Sequence, residues 1–257
     1  MRAAVLGRPI GHSLSPLLHR AAYVSLGLDW HYDAVDVGSD ELGAFLDGLG
    51  PEWRGLSLTM PLKAAVLPLL DDVDALARDV AAANTVVLGQ GRRSGFNTDV
   101  HGIVAALAEA GVTTASRAVV LGGGATARSA LAALRQLGER APTLVVRSEP
   151  AETLAAAERL GVAPTVVPFS PEVLDGCDLL VSTLPAGAAD AVAPHVSDVP
   201  ALLDVVYEPW PTPLARACGG VLVSGREMLL HQAAAQVQLM TGLPAPLEAM
   251  RAALSAR

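Results

Sequence analysis

Lysine is almost absent from this chain. Of its 257 residues 18 are basic, and all of these are arginines except Lys63. Asparagine occurs only at Asn84 and Asn97, and isoleucine only at Ile10 and Ile103. Beside abundant Ala, Val, Leu, Gly and Arg, this depletion fits a strongly GC-biased coding background, in which a surface lysine drifts to arginine at little cost. A lysine that survives, unless by chance, marks a position where a guanidinium cannot serve. Arginine stays protonated, whereas an amine can be tuned to release its proton. Cysteine is scarce too. Cys177 and Cys218 fit neither CxxC nor a Cys/His metal spacing, so neither a metal centre nor an oxidising compartment is expected. No apolar run reaches the roughly 18 to 20 residues of a membrane span. The opening MRAAVLGRPIGHS lacks the apolar stretch and small-residue cleavage site of a secretory signal. A net charge of −8 with no basic block argues against nucleic acid as a partner. The expectation is a soluble cytoplasmic protein.

With 51% hydrophobic and 17% charged residues, the chain can bury a large core. Short β-like runs alternate with helical patterns, the mark of an α/β protein with parallel strands. Early strands are predicted at 3–6, 31–35 and 55–58, with helices over 17–26 and 42–49, Pro16 sitting in the first turn of the former. Runs at 85–88 and 93–96 flank Gly89-Gln90-Gly91 and suit a hairpin. A second unit starts near His101, with strands expected at 117–121, 143–146, 164–167, 179–182 and 202–205 forming a doubly wound sheet. After Gly225 the pattern turns helical, with Met228, Leu229, Ala233, Val237 and Met240 on one face. The expected architecture has an α/β substrate domain over 1–100, to which helices 225–257 return. A Rossmann-type dinucleotide domain covers 101–224, and a cleft separates the two.

Gly122-x-Gly124-x-x-Ala127, after a strand and opening a helix, matches the dinucleotide fingerprint. Its glycines let the backbone approach a pyrophosphate, whose charge meets the helix N-terminus. A tight strand-to-helix turn is the bland alternative. An NAD site would place Asp or Glu at the end of the next strand, but that strand closes Val145-Val146-Arg147-Ser148. Arg147 suits a 2′-phosphate, so NADP is favoured. Glu149 blurs this, and an ordinary solvated arginine is the other reading.

Lys63 follows Pro61 in Leu58-Thr59-Met60-Pro61-Leu62-Lys63, where a helix is expected to begin. A cation in a first helical turn faces the positive end of the dipole, which favours a proton-exchanging amine. Asp99 closes Gly95-Phe96-Asn97-Thr98-Asp99 just before a helix expected near Val100, where it is either a helix cap or a carboxylate held as an anion. Together the two make a proton-transfer pair with opposite tuning. In Gly11-His12-Ser13-Leu14-Ser15-Pro16 two hydroxyls can reach one carboxylate, although Ser15 alone also reads as an N-cap. His12 and His231 stay unassigned.

Taken in order, these blocks resemble the shikimate dehydrogenase family. The resemblance rests on PIGHSLSPLLH, LTMPLK, AANTVV, GFNTD, GGGATAR, DVVYEPWPTPL and SGREMLLHQAAAQ, spread over nearly the whole chain. It implies reversible hydride transfer between NADPH and 3-dehydroshikimate to give shikimate, in chorismate and aromatic amino acid biosynthesis. It further implies that Ser13 and Ser15 hold the substrate carboxylate, with Tyr207 nearby. Thr59, Asn84, Asp99 and Gln232 would bind ring hydroxyls, and Lys63 with Asp99 would be catalytic. Gly122, Gly123, Gly124, Ala125, Thr126, Ala127, Arg147 and Ser148 would hold NADP(H), with Gly225 near the nicotinamide. The chain departs from the family at Val146-Arg147-Ser148-Glu149-Pro150, where an Asn-Arg-Thr run with a further basic residue is usual. A quinate or aminoshikimate dehydrogenase and a non-catalytic NADP- or metabolite-sensing module are the alternatives. Quinate needs extra room at the carboxylate-bearing carbon, which Ser15 does not favour. The sequence leaves the oligomeric state open, a homodimer included.

Overall fold

The computed structural model describes residues 1–256. The chain divides into two compact units. One joins Met1–Thr98 to the segment from Leu229 onward, and the other is formed by Asp99–Met228.

The first unit begins β1 (Arg2–Gly7), α1 (Ser15–Ser25), β2 (His31–Asp36), α2 (Leu42–Asp47), β3 (Trp53–Leu58) and α3 (Leu62–Ala65). It continues β4 (Asp72–Val73), α4 (Ala75–Val80), β5 (Thr85–Gly89) and β6 (Arg92–Phe96). Its strands form one sheet in the order β2-β1-β3-β5-β6-β4. Pairing is parallel for β2, β1 and β3, antiparallel from β3 to β5 and β5 to β6, and parallel again at β4. The sheet is therefore mixed: β2, β1 and β3 run parallel, as the alternating pattern suggested, and the hairpin expected at Gly89–Gly91 makes β5 and β6 antiparallel. Leu14, the residue that caps α1, and Leu18 and Ala22 within it recur every fourth residue and are fully buried, and Pro16 lies in the first turn, where its missing N–H is harmless. Leu6, Leu56, Leu58, Leu62, Val66 and Val86 build the core against β1 and β3.

The second unit runs α5 (Asp99–Glu109), β7 (Ala118–Leu121), α6 (Ala125–Gln136), β8 (Thr143–Val145), α7 (Ala151–Leu160), β9 (Thr165–Val167), β10 (Leu179–Ser182), β11 (Ala201–Asp204), α8 (Pro213–Ala217) and β12 (Val221–Ser224). All six strands are parallel, in the order β12-β11-β10-β7-β8-β9. This is the doubly wound dinucleotide-fold order, with its switch point between β7 and β10. Every residue of β7, β10 and β11 is buried, as a sheet covered on both faces requires. α9 (Gly225–Thr241) crosses the second boundary, and α10 (Leu247–Ser255) packs on α1 in the first unit.

Several expectations need correction. The helix carrying Lys63 is a single turn, Leu62–Ala65, with Pro61 just outside it. One turn has no developed macrodipole, so that argument for Lys63 lapses. The N-cap of α1 is Leu14, and Ser15 is already helical, which removes the cap reading of Ser15. Asp99 opens α5 instead of preceding it. The strand Val221–Ser224 was not foreseen, because it is a four-residue edge strand whose Val221 and Leu222 are each 42% exposed. Along α9 it is Leu230, not Leu229, that is fully buried, and the buried face also carries His231, Gln232 and Gln236.

Candidate active site

In the first unit, a polar cluster lies inside the apolar body. Asn84 sits just before β5 and is 1% exposed. Its Oδ1 accepts the backbone N–H of Thr98 at 2.8 Å and the Thr85 hydroxyl at 2.9 Å. A backbone N–H can only donate, so the amide orientation is fixed and Nδ2 is the donor face. Nδ2 donates to Thr98 Oγ1 at 2.9 Å and to Gln232 Oε1 at 3.2 Å. Gln232 in turn donates through Nε2 to the Leu229 carbonyl at 2.9 Å. An alcohol entering between Asn84 Nδ2 and Gln232 Oε1 could accept from the first and donate to the second, which neither a carbonyl nor an ammonium can do. Two of the residues expected to bind hydroxyls are thus in direct contact.

Ser15 is also buried. Its backbone N–H donates to Ser13 Oγ at 3.3 Å. Ser13, just before α1, and Ser15, its first residue, are therefore neighbours, and Ser13 is only half-buried. Thr59 follows β3, with its N–H bonded to the Leu6 carbonyl at 2.9 Å. Lys63 is half-buried, and its carbonyl accepts from Ala83 N–H at 2.8 Å, which ties its turn to the residue preceding Asn84.

Behind this cluster, His19 is fully buried. Desolvation, partly opposed by its contact with Gln236, pulls its pKa down to about 3, so the ring is neutral. Its imidazole stacks on Tyr32 at 4.0 Å between ring centroids. Burial likewise raises the pKa values of the Tyr23 and Tyr32 phenols, so both keep their protons.

In the second unit, a cavity of about 700 Å³ opens where β7 and β8 end. Gly122, Gly123, Arg147, Ser148, Glu149 and Glu152 are among its lining residues. Gly122 has φ +107°, a backbone that L residues rarely adopt. The Gly123 carbonyl accepts from Thr153 Oγ1 at 2.7 Å, and Leu121's carbonyl accepts from Thr183 Oγ1 at 2.7 Å, so the turn is clamped on both sides. α6 starts immediately after Gly124 and has no side-chain cap, which leaves its first N–H groups available to an anion. Arg147 is exposed at the cavity wall.

The acidic residue a bare ribose would need is missing at the end of β8, although Glu149 and Glu152 stand nearby. Arg128, with only 3% of its side chain exposed, meets Glu152 at 3.1 Å; desolvation lowers its pKa, against the pull of that carboxylate. A phosphorylated dinucleotide fits this set of donors. Gly124, Ala125, Thr126 and Ala127 shape the turn and the first helical turn without lining the cavity, and Ala127 is buried. Asp99 is 4% exposed, Tyr207 is half-buried, and neither Tyr207 nor Gly225 lines this cavity. A Cβ at Gly225 would collide with the Val205 carbonyl.

Sequence reasoning passed over Ser57, Thr85, Thr98 and Gln236, all buried and all hydrogen-bonded in the first cluster. One signal was present. Gln236 stands four residues after Gln232, on the same face of a helix whose other buried residues are mostly apolar.

Residues 5–86 match the family model described as the shikimate dehydrogenase substrate binding domain, and residues 225–254 match the shikimate 5′-dehydrogenase C-terminal domain. A relative from Thermus thermophilus, named shikimate dehydrogenase (NADP(+)), is 39% identical over 95% of this chain and 93% of its own length. The crystal structure of Mycobacterium tuberculosis shikimate dehydrogenase is 44% identical, covers 99% of this chain and 98% of that one, and superposes with a TM-score of 0.91. A shikimate 5-dehydrogenase from Thermus thermophilus, solved in complex with NADP(H) and shikimate, is 35% identical, with a TM-score of 0.89 over 100% of this chain and 99% of that one.

Proposed function

Since this chain belongs to the shikimate dehydrogenase family, we propose from that premise that it reversibly reduces 3-dehydroshikimate to shikimate with NADPH, and that the residues below carry the reaction. The observation that carries the assignment to an alcohol substrate is the facing pair Asn84 Nδ2 and Gln232 Oε1, a donor and an acceptor that one hydroxyl can bridge. Thr59 and Asp99 complete the recognition of the ring hydroxyls. Ser13 and Ser15, adjacent at the start of α1, take the substrate carboxylate, with Tyr207 beside it. Lys63 gives a proton to the ketone oxygen as it becomes an alcohol, and takes it back in the oxidation direction; Asp99 shares that proton transfer.

The dinucleotide, when bound, supplies or accepts the hydride. Gly122–Ala127 hold its pyrophosphate against the start of α6, Arg147 and Ser148 hold the 2′-phosphate, and Gly225 lies near the nicotinamide. No helix among the described residues is long and apolar enough to cross a membrane, and both cysteines are free thiols, which supports a reducing cytoplasmic setting. We assign residues 1–100 and 225–257 to the substrate domain and 101–224 to the cofactor domain.

Steady-state rates at the nicotinamide absorbance band, over shikimate, quinate and aminoshikimate with NADP and NAD, test this reading. Shikimate with NADP is expected to give the highest kcat/KM. A higher value for quinate would overturn the substrate assignment.

A further inference from the structure

We propose that Gln236 is a positioning residue for substrate recognition, adding through Thr85 a second restraint on the Asn84 amide that the Thr98 backbone N–H already orients; this rests on the reading of Asn84 and Gln232 as hydroxyl-binding residues. Gln236 is 1% exposed, and both ends of its amide are engaged. Nε2 donates to the Asn84 backbone carbonyl at 3.1 Å and to Thr85 Oγ1 at 3.0 Å. A carbonyl can only accept, so the NH2 group must lie on that side, and Oε1 must face Ser57 and His19. Oε1 accepts from Ser57 Oγ at 2.7 Å, and Ser57 accepts from the Tyr32 phenol at 2.6 Å. His19 Nε2 lies 3.2 Å from the same Oε1, so its proton sits on Nε2, and Nδ1 accepts from the Tyr23 phenol at 3.3 Å.

The donors therefore run one way. Tyr32 gives to Ser57, Ser57 to Gln236, Gln236 to Thr85, Thr85 to Asn84, and Asn84 to Gln232. Chains of this kind polarise each member in turn, and each bond admits only one sense. With Gln236 removed, Thr85 loses the donor that makes its own hydroxyl point at Asn84 Oδ1, and the Asn84 carbonyl is released as well. The Thr98 N–H still keeps the Asn84 amide from flipping, but with this second restraint gone the side chain swings, and a substrate hydroxyl meets Nδ2 at a poorer distance and angle.

Five variants test this in shikimate oxidation with NADP, namely Gln236→Leu, Thr85→Val, Thr85→Ser, Asn84→Ala and the double change Asn84→Ala/Gln236→Leu. Gln236→Leu is expected to raise KM for shikimate about tenfold, the size of one net hydrogen bond, with kcat within about threefold and KM for NADP unchanged. Thr85→Val should do the same, and Thr85→Ser, which keeps the hydroxyl, should restore the original KM. In the Asn84→Ala background, Gln236→Leu should add less than about twofold, because the two act on one contact. If Gln236→Leu fails to fold, the Thr85 pair carries the test. A KM that is raised by Asn84→Ala but not by Gln236→Leu or Thr85→Val would overturn the positioning role alone. So would effects that multiply in the double variant. An unchanged KM in Asn84→Ala would instead remove the hydroxyl-site reading on which the role rests.

Discussion

Lys63 occupies a position where a chain rich in arginine has kept an amine, and the difference between the two cations defines its test. Lys63→Ala should lower kcat by about 10²-fold or more, the range typical of a positioned acid–base group, with a much smaller change in KM. Lys63→Arg should be nearly as damaging, because a guanidinium holds its proton near neutral pH. A kcat within a few-fold of the original in either variant would make Lys63 a bystander. Arg147, the exposed cation at the cavity wall, is expected to act on the cofactor alone. Arg147→Ala should raise KM for NADP by about one to two orders of magnitude, as the loss of a charge-assisted bond does, and leave KM for NAD nearly unmoved. Equal kcat/KM for the two cofactors in the unaltered enzyme would refute this. Lys63, Asn84 and Arg147 stood out in the sequence because each is rare or out of place against its local background. Ser57 and Thr85 did not, since their bonds to Gln236 span 179 and 151 residues, and Gln236 left only its spacing from Gln232 as a trace.

At the scale of elements, the turns into helices decide where chemistry can sit. β7 runs through its glycine turn into α6 without a side-chain cap, a pattern that could be read directly from the spacing of Gly122, Gly124 and Ala127. The buried strands were legible as well, because both-sided burial needs a continuous apolar run. The one-turn helix at Lys63 and the edge strand β12 were not, as four residues carry too little periodicity to declare themselves. The junction from β12 into α9 supplies the test at this scale. Because a Cβ at Gly225 meets the backbone of Val205 rather than a movable side chain, Gly225→Ala should cost about 1–3 kcal/mol, the range of overpacking in a tight site. The urea midpoint should fall with an unchanged slope. An unaltered midpoint would mean that the backbone yields there freely.

For the molecule as a whole, the buried imidazole of His19 makes stability depend on pH with a definite sign. Its pKa is about 3 in the folded chain and, when unfolded, returns to the ordinary value near about 6.5. Above about pH 6.5 neither state holds the proton, and His19 imposes no charge penalty. Between about 6.5 and 3 the unfolded chain binds a proton that the folded chain refuses, so stability falls as pH falls, by up to about 1.4 kcal/mol per pH unit. Urea midpoints taken from pH 7.5 down to 4.5 should show this fall, and His19→Gln should flatten it; parallel curves for the two proteins would exclude His19 as the cause. The first unit is built from two separate chain segments, Met1–Thr98 and the part from Leu229 onward, which has a consequence for synthesis on the ribosome. Ser57, Asn84 and Thr85 leave the exit tunnel long before Gln232 and Gln236 have been translated, so these polar groups must stay hydrated while they wait. Asp99–Met228 is contiguous and holds all six of its strands once Ser224 is made. Domains usually mature in the order in which they are translated; here the unit begun first is completed last, and a stalled nascent chain ending before Leu229 should resist protease only over its later part.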